Sequence, residues 1–176
     1  YNQSQVTKYS LSPDVVDLIS FCTKNPAPML AHMDILKPYG QYWFVTITPY
    51  GKDVQPNVPG KEQVMEDFKN LSDIVGVDSV GWRYDPIFVD TDHSVEWHTE
   101  QFEQMAKNLA GYTKTCVISF IDIYKKVERN FPEAREVYKG DRFTLGKAFI
   151  DIAGLSTKVC KFILPILSAA SCGIVC

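Results

Sequence analysis

Arg83 and Asp85 stand two apart in RYDP (Arg83–Pro86), directly after the apolar run VDSVGW. In extended chain, residues two apart leave the same face. The guanidinium is a planar, permanently charged fork suited to an anionic group. The carboxylate beside it either balances that charge or serves as a base. A structural ion pair at the strand end is the competing role. Three further tetrapeptides follow apolar runs in the same way: TKNP (Thr23–Pro26), TPYG (Thr48–Gly51) and SFID (Ser119–Asp122). They contribute Lys24, as acid–base group or charge clamp, together with Asn25, Tyr50 and Asp122. Pro26, Pro49 and Pro86 hold the residue before each of them in extended geometry. One polar strand end is ordinary, because the chain is leaving the core; four at corresponding positions point to a ligand site.

The elements that must position these residues are read from periodicity. Apolar, β-branched runs occur at Val15–Phe21, Tyr42–Thr48, Val77–Trp82 and Thr115–Ile121, the second and fourth continuous enough for strands covered on both faces. Between them, Val64, Met65, Phe68, Leu71 and Ile74 repeat at helical spacing and stop at Gly76. Val95, Phe102, Met105 and Leu109 repeat likewise after Ser94 as N-cap, with Gly111 at the end. A further helix is expected over Asp141–Ala153, capped by Asp141, with Leu145, Phe149 and Ile152 on one face. Strands alternating with helices imply parallel strands and right-handed crossovers. The expected fold is α/β: part of a TIM-like (β/α) barrel, with an open doubly wound parallel sheet as the alternative. In either, the strand C-termini share one face, where ligands bind.

The chain has 176 residues, 45% hydrophobic and 22% charged, which suits one core. A net charge of −3 and the absence of a basic cluster argue against a nucleic-acid partner. The most apolar segment, Val159–Ala170, is too short to span a bilayer and carries Lys161 and Pro165. Five cysteines, with Cys22 and Cys116 in or beside strand-like runs, read as reduced thiols used as small hydrophobes, and no signal peptide is visible. A cytoplasmic protein is expected. Cys160, Cys172 and Cys176 form too sparse a ligand set for a metal site. His98, on the Val95/Phe102/Met105 helix face, reads first as a packing residue, as does His32 beside Met29, Met33 and Leu36. His93 is a loop residue within reach of a site rim. No HExxH, P-loop or GxGxxG motif is present.

Five segments in order, LSPDVVDLISFCTKNPAPML, YWFVTITPYGKDVQPNVP, VGWRYDPIFV, TKTCVISFIDIYKKVERNF and DRFTLGKAFIDIA, closely resemble the bacterial domain-of-unknown-function 1848 family, from Tyr1 to Ala153. The resemblance implies a barrel-like α/β domain whose full-length members carry a C-terminal cysteine cluster similar to the iron–sulfur ligands of radical S-adenosylmethionine enzymes. Matched to the family's motifs, Lys24, Arg83, Asp85 and Asp122 take the catalytic positions. Asn25, Thr48, Tyr50, Tyr84, Ser119 and His98 take the substrate-binding ones. This chain departs from the family pattern in three ways. Cys22 replaces a Trp and reads as packing; a leading segment with paired arginines is missing; and the cysteine cluster is replaced by GLSTKVCKFILPILSAASCGIVC. The expectation is an incomplete domain over residues 1–153, followed by an atypical apolar, cysteine-containing tail over 154–176, truncated or frameshifted. No cofactor is expected in this chain itself, whereas full-length relatives would hold an iron–sulfur cluster. The function expected is an iron–sulfur or radical-type enzyme, inactive as this piece, acting on an unnamed small molecule. The alternative is a non-catalytic domain that binds a small anion through Arg83. No membrane partner is expected.

Overall fold

The computed structural model describes residues 8–121, 125–130, 139–155 and 161–163. Five parallel strands form one sheet in the order β1-β2-β3-β4-β5. They are β1 (Leu18–Thr23), β2 (Gly40–Thr46), β3 (Val80–Ile87), β4 (Thr115–Phe120) and β5 (Lys161–Ile163). Helices α1 (Ala27–Leu30) and α2 (Met33–Leu36) follow β1, α3 (Lys61–Val75) follows β2, and α4 (Val95–Leu109) follows β3. After β4 come α5 (Lys125–Asn130) and α6 (Lys139–Leu155). The α/β architecture with a parallel sheet is as expected. The order runs in one direction without reversal among the described strands, and right-handed crossovers then carry successive helices to one side.

On that side lies the core. Trp43 and Val45 of β2 with Ile47 just beyond it, Trp82 and Tyr84 of β3, and Cys116 and Ile118 of β4 pack against Val64, Phe68 and Leu71 of α3 and Phe102, Met105 and Leu109 of α4. Helix α6 joins through Leu145 and Phe149, whose ring stacks on Phe102 at 3.9 Å. The Trp82 indole donates to the Ile47 carbonyl at 2.9 Å, so its one polar atom is satisfied.

The two long central helices follow their sequence signals. Ser94 Oγ accepts from Trp97 N–H at 3.2 Å and caps α4. Gly76 and Gly111, both with φ near +90°, end α3 and follow α4. Other expectations are corrected. The helix expected around His32 is two short helices, with His32 exposed between them. Helix α6 starts at Lys139, so Asp141 lies in its first turn instead of capping it. It also runs through the boundary expected at 153–154, beyond which β5 pairs with β4.

The strands differ most. β3 does not stop at Trp82 but continues through RYDP to Ile87, and Ser119 and Phe120 are still in β4. The face away from the helices is not covered as fully as the apolar runs implied. Tyr42, Phe44, Arg83, Asp85, Val117 and Ser119 are only partly buried there, and Ser20 and Cys22 are exposed.

Candidate site at the strand C-termini

Parallel register sets side chains in layers, because paired residues point to the same side of the sheet. Thr46 of β2 is aligned with Arg83 of β3, and Arg83 with Val117 of β4. Toward the strand N-termini, Cys22, Phe44 and Gly81 are aligned in the same way. A Cβ on Gly81 would stand 3.0 Å from the Tyr42 hydroxyl and 3.3 Å from the Phe44 ring, so these two rings lie close over the glycine. They floor the face below Arg83.

Between Tyr84 and Ile87 the register with β4 shifts: Tyr84 is paired with Ile118, but Ile87 with Phe120. Three steps along β3 thus match two along β4, a bulge centred on Asp85 and Pro86, whose peptide bond is cis. Bulges re-aim side chains at sheet rims. Here Asp85 receives hydrogen bonds on both oxygens, from Arg83 Nη2 on one and from Ser119 Oγ on the other. The ion pair keeps part of its surface in solvent, with side-chain exposures of 33% for Arg83 and 17% for Asp85.

Lys24 follows the last residue of β1 and completes the cluster. Burial pushes its ammonium below the ordinary lysine range; the Asp85 carboxylate opposes that shift and the Arg83 guanidinium adds to it. No hydrogen bond or ion pair holds its Nζ among the described residues. Lys24, Arg83, Asp85 and Ser119 are therefore brought together across β1, β3 and β4. Asn25 stands next to them, exposed, in a turn where its N–H donates to Thr23 Oγ1 at 3.0 Å.

The remaining anticipated residues are elsewhere. Tyr84 and His98 lie on the helix side, opposite Arg83, and neither is exposed. The Tyr84 hydroxyl and His98 Nδ1 share a hydrogen bond of 2.9 Å, and His98 Nε2 donates to the Phe88 carbonyl at 2.8 Å. With both ring nitrogens engaged, His98 is a core residue and not a ligand-facing one. Alternation along β3 carries the same message for Tyr84, which must oppose Arg83 and Asp85. Tyr50 is buried as well, its hydroxyl donating to the Pro86 carbonyl at 2.9 Å while its ring stacks on Phe88 at 4.6 Å. Burial raises that phenol well above its usual range. Thr48 and Tyr50 line a separate cleft of about 260 Å³ under the loop from β2 to α3, beside Thr46, Gln55, Val58 and Lys61. Thr46, aligned with Arg83, is common to the cleft and the layer. Asp122 lies outside the described residues.

A family model described as "Domain of unknown function (DUF1848)" matches residues 1–162. The chain belongs to this family. The match continues past Ala153, where likeness by eye ends, and reaches into β5. No curated protein and no solved structure matches the chain.

The iron–sulfur cluster implied by the resemblance to DUF1848 can be tested against the described thiols. Cys22 is aligned, through Phe44, with Gly81, whereas Cys116 is aligned with Trp82. Adjacent residues point to opposite faces, so the two sulfurs lie on opposite sides of the sheet and cannot share a cluster. Among the described residues no three His, Cys, Asp or Glu side chains gather as a metal site. The described residues do not fit the cluster, and Cys160, Cys172 and Cys176 lie outside them.

Sequence reasoning missed two things. Cys22, taken for packing, is exposed on the face of Lys24; its position two residues before Lys24 carried that signal. His93 is also more tightly held than a rim loop residue would be. Its Nδ1 is 2.9 Å from Asp90 Oδ1, and its ring meets Tyr50 and Trp97 edge-on. No helix in the described residues is long and apolar enough to cross a membrane.

Proposed function

We propose that this DUF1848 chain binds a small molecule through an anionic group, on the open sheet face at the C-terminal ends of β1, β3 and β4. The observation that carries the reading is the pairing of a committed cation with an uncommitted one. Arg83 is fixed by Asp85, which Ser119 fixes in turn, while Lys24, whose ammonium feels the charges of both Asp85 and Arg83, has no partner of its own among the described residues. A partly desolvated cation without a counter-ion is stabilised by an incoming anion, and the bonds formed are charge-assisted. Thr46 and the neighbouring cleft supply room for the rest of the molecule.

The unreversed strand order supports the finer reading that the sheet is part of a (β/α) barrel, whose ligands bind at this end. The iron–sulfur reading belongs to the cysteine cluster expected of full-length relatives and draws nothing from the described cysteines of this chain. A cytosolic setting and the absence of a nucleic-acid partner remain part of the proposal, and the net charge of −3 supports the second of these.

Calorimetric titration with inorganic phosphate and with simple carboxylates tests the site. Lys24→Ala should weaken binding about tenfold, the worth of one charge-assisted hydrogen bond. Arg83→Ala, made together with Asp85→Asn so that no carboxylate is stranded, should do the same or more. Affinities equal to wild type in both variants would refute the reading. Affinity should also fall as pH rises, and should begin to fall below the ordinary lysine range, because Lys24 loses its proton early.

A further inference from the structure

Lys24 differs from the other lysines near this end of the sheet. Lys61 donates to Gln101 Oε1 at 2.8 Å. Lys52 ties down the β2–α3 loop through the carbonyls of Pro56, at 3.4 Å, and Val58. Lys24 has no hydrogen bond or ion pair among the described residues, and it is half-covered on a face whose floor is the aromatic pair Tyr42 and Phe44. Burial, the largest influence on its amine, favours the neutral form. A lysine so placed is a nucleophile as much as a charge, and lysines desolvated beside another cation are the ones that attack carbonyls.

We propose that Lys24 forms a Schiff base, and that the ligand class of this face is a small carbonyl compound carrying an anionic group. Arg83 receives the anion while the carbonyl carbon meets Lys24 Nζ. The proposal rests on the anion site argued above and adds a covalent step to it. The neutral amine donates its lone pair to the carbonyl carbon, a C–N bond forms, and the carbonyl oxygen takes up a proton. The nitrogen then gives up a proton, the new hydroxyl is protonated, and water leaves as the C=N bond forms. The iminium nitrogen so formed gives up its remaining proton, and amine and carbonyl become imine and water, with no oxidant or reductant involved. Asp85, the carboxylate whose charge acts on Lys24, is the group assigned to pass those protons, and Ser119 and Arg83 hold its two oxygens in position. A 2-oxo acid and a phosphorylated aldehyde share the required chemistry.

Reductive trapping on the full chain tests this with two open-chain aldehydes, pyridoxal 5′-phosphate and 5′-deoxypyridoxal, the second lacking both the phosphate and the hydroxyl that would close on the aldehyde. Each is reduced with borohydride, and the modified lysines are mapped by peptide mass spectrometry. A parallel arm uses pyruvate with cyanoborohydride, to separate the carboxylate source from the phosphate one. Lys24 should carry the principal adduct, about tenfold more with the phosphorylated aldehyde than with 5′-deoxypyridoxal. Inorganic phosphate should suppress it, and Arg83→Gln should erase the preference. Lys24→Arg should lose the adduct. Adducts spread over exposed lysines such as Lys107 with no excess at Lys24 would overturn the proposal, and so would equal labelling by the two aldehydes. Phosphate binding that depends on Arg83, without labelling of Lys24, would sink the Schiff base alone and leave the anion site standing. Loss of both would remove the two readings together. The wild-type labelling pattern decides the matter even where a variant fails to fold.

Discussion

At His98 the imidazole is buried with both ring nitrogens bonded inside the protein, and that holds it neutral. Burial brings its pKa down from 6.5 to about 4, against the opposing hydrogen bond to the Phe88 carbonyl. The unfolded chain takes up a proton on this residue below pH 6.5, and the folded chain does so only near 4. Stability therefore falls as the pH drops through that window, by about 3 kcal/mol when integrated. Urea midpoints measured near neutrality and near pH 4 should show the loss, and His98→Phe should flatten that part of the profile. Gly81 is the second single-residue case. The Tyr42 hydroxyl at 3.0 Å and the Phe44 ring at 3.3 Å leave no ordinary room for a methyl group. Gly81→Ala should cost about 1–2 kcal/mol by overpacking. It should also tilt both rings under Arg83 and weaken anion binding, which a melt and a phosphate titration would register together.

Among the elements, α6 is docked through Leu145 and Phe149. Phe149 is fully buried, stacked on Phe102 at 3.9 Å and edge-on to Tyr84 at 5.6 Å. Phe149→Ala should destabilise the fold by about 3–5 kcal/mol, measured by denaturant unfolding. Ser94→Ala, which removes only the cap of α4, should cost about 1 kcal/mol. These helices were legible because their signals are local: 3.6-residue spacing of Val64, Phe68 and Leu71, a capping serine, and glycines at positive φ. The strand limits were less so. Arg83 and Asp85 look like an exit from the core, but β3 carries on because Tyr84 between them packs on the helices. A polar residue ends an apolar run in the sequence without ending the hydrogen-bonded strand. The site was readable to the same extent. Alternation and parallel strands sufficed to bring Lys24, Arg83 and Asp85 to one end of the sheet, whereas Ser119 was named only through the resemblance to the family. The same alternation, applied to Tyr84, would have removed it from the site, and the burial of His98 and Tyr50 depends on tertiary partners no local pattern encodes.

For the molecule as a whole, the sheet separates two environments. Helices cover one side and the open side carries the polar cluster with exposed Cys22. Native-state alkylation should therefore modify Cys22 well before buried Cys116. Bound phosphate or a trapped aldehyde should slow the reaction at Cys22, read by mapping the alkylated peptides. Equal rates with and without ligand would argue that the ligand lies elsewhere.

Along β3 the consequence is unusual in kind. Val80, Trp82 and Tyr84 serve the core, while Gly81, Arg83 and Asp85 serve the open face, so neighbouring codons answer to different demands. A saturation scan of this one strand should resolve into two interleaved phenotypes. At the first set substitutions should lower the yield of folded protein. At Arg83 and Asp85 they should leave the yield intact while the protein goes silent toward its ligand.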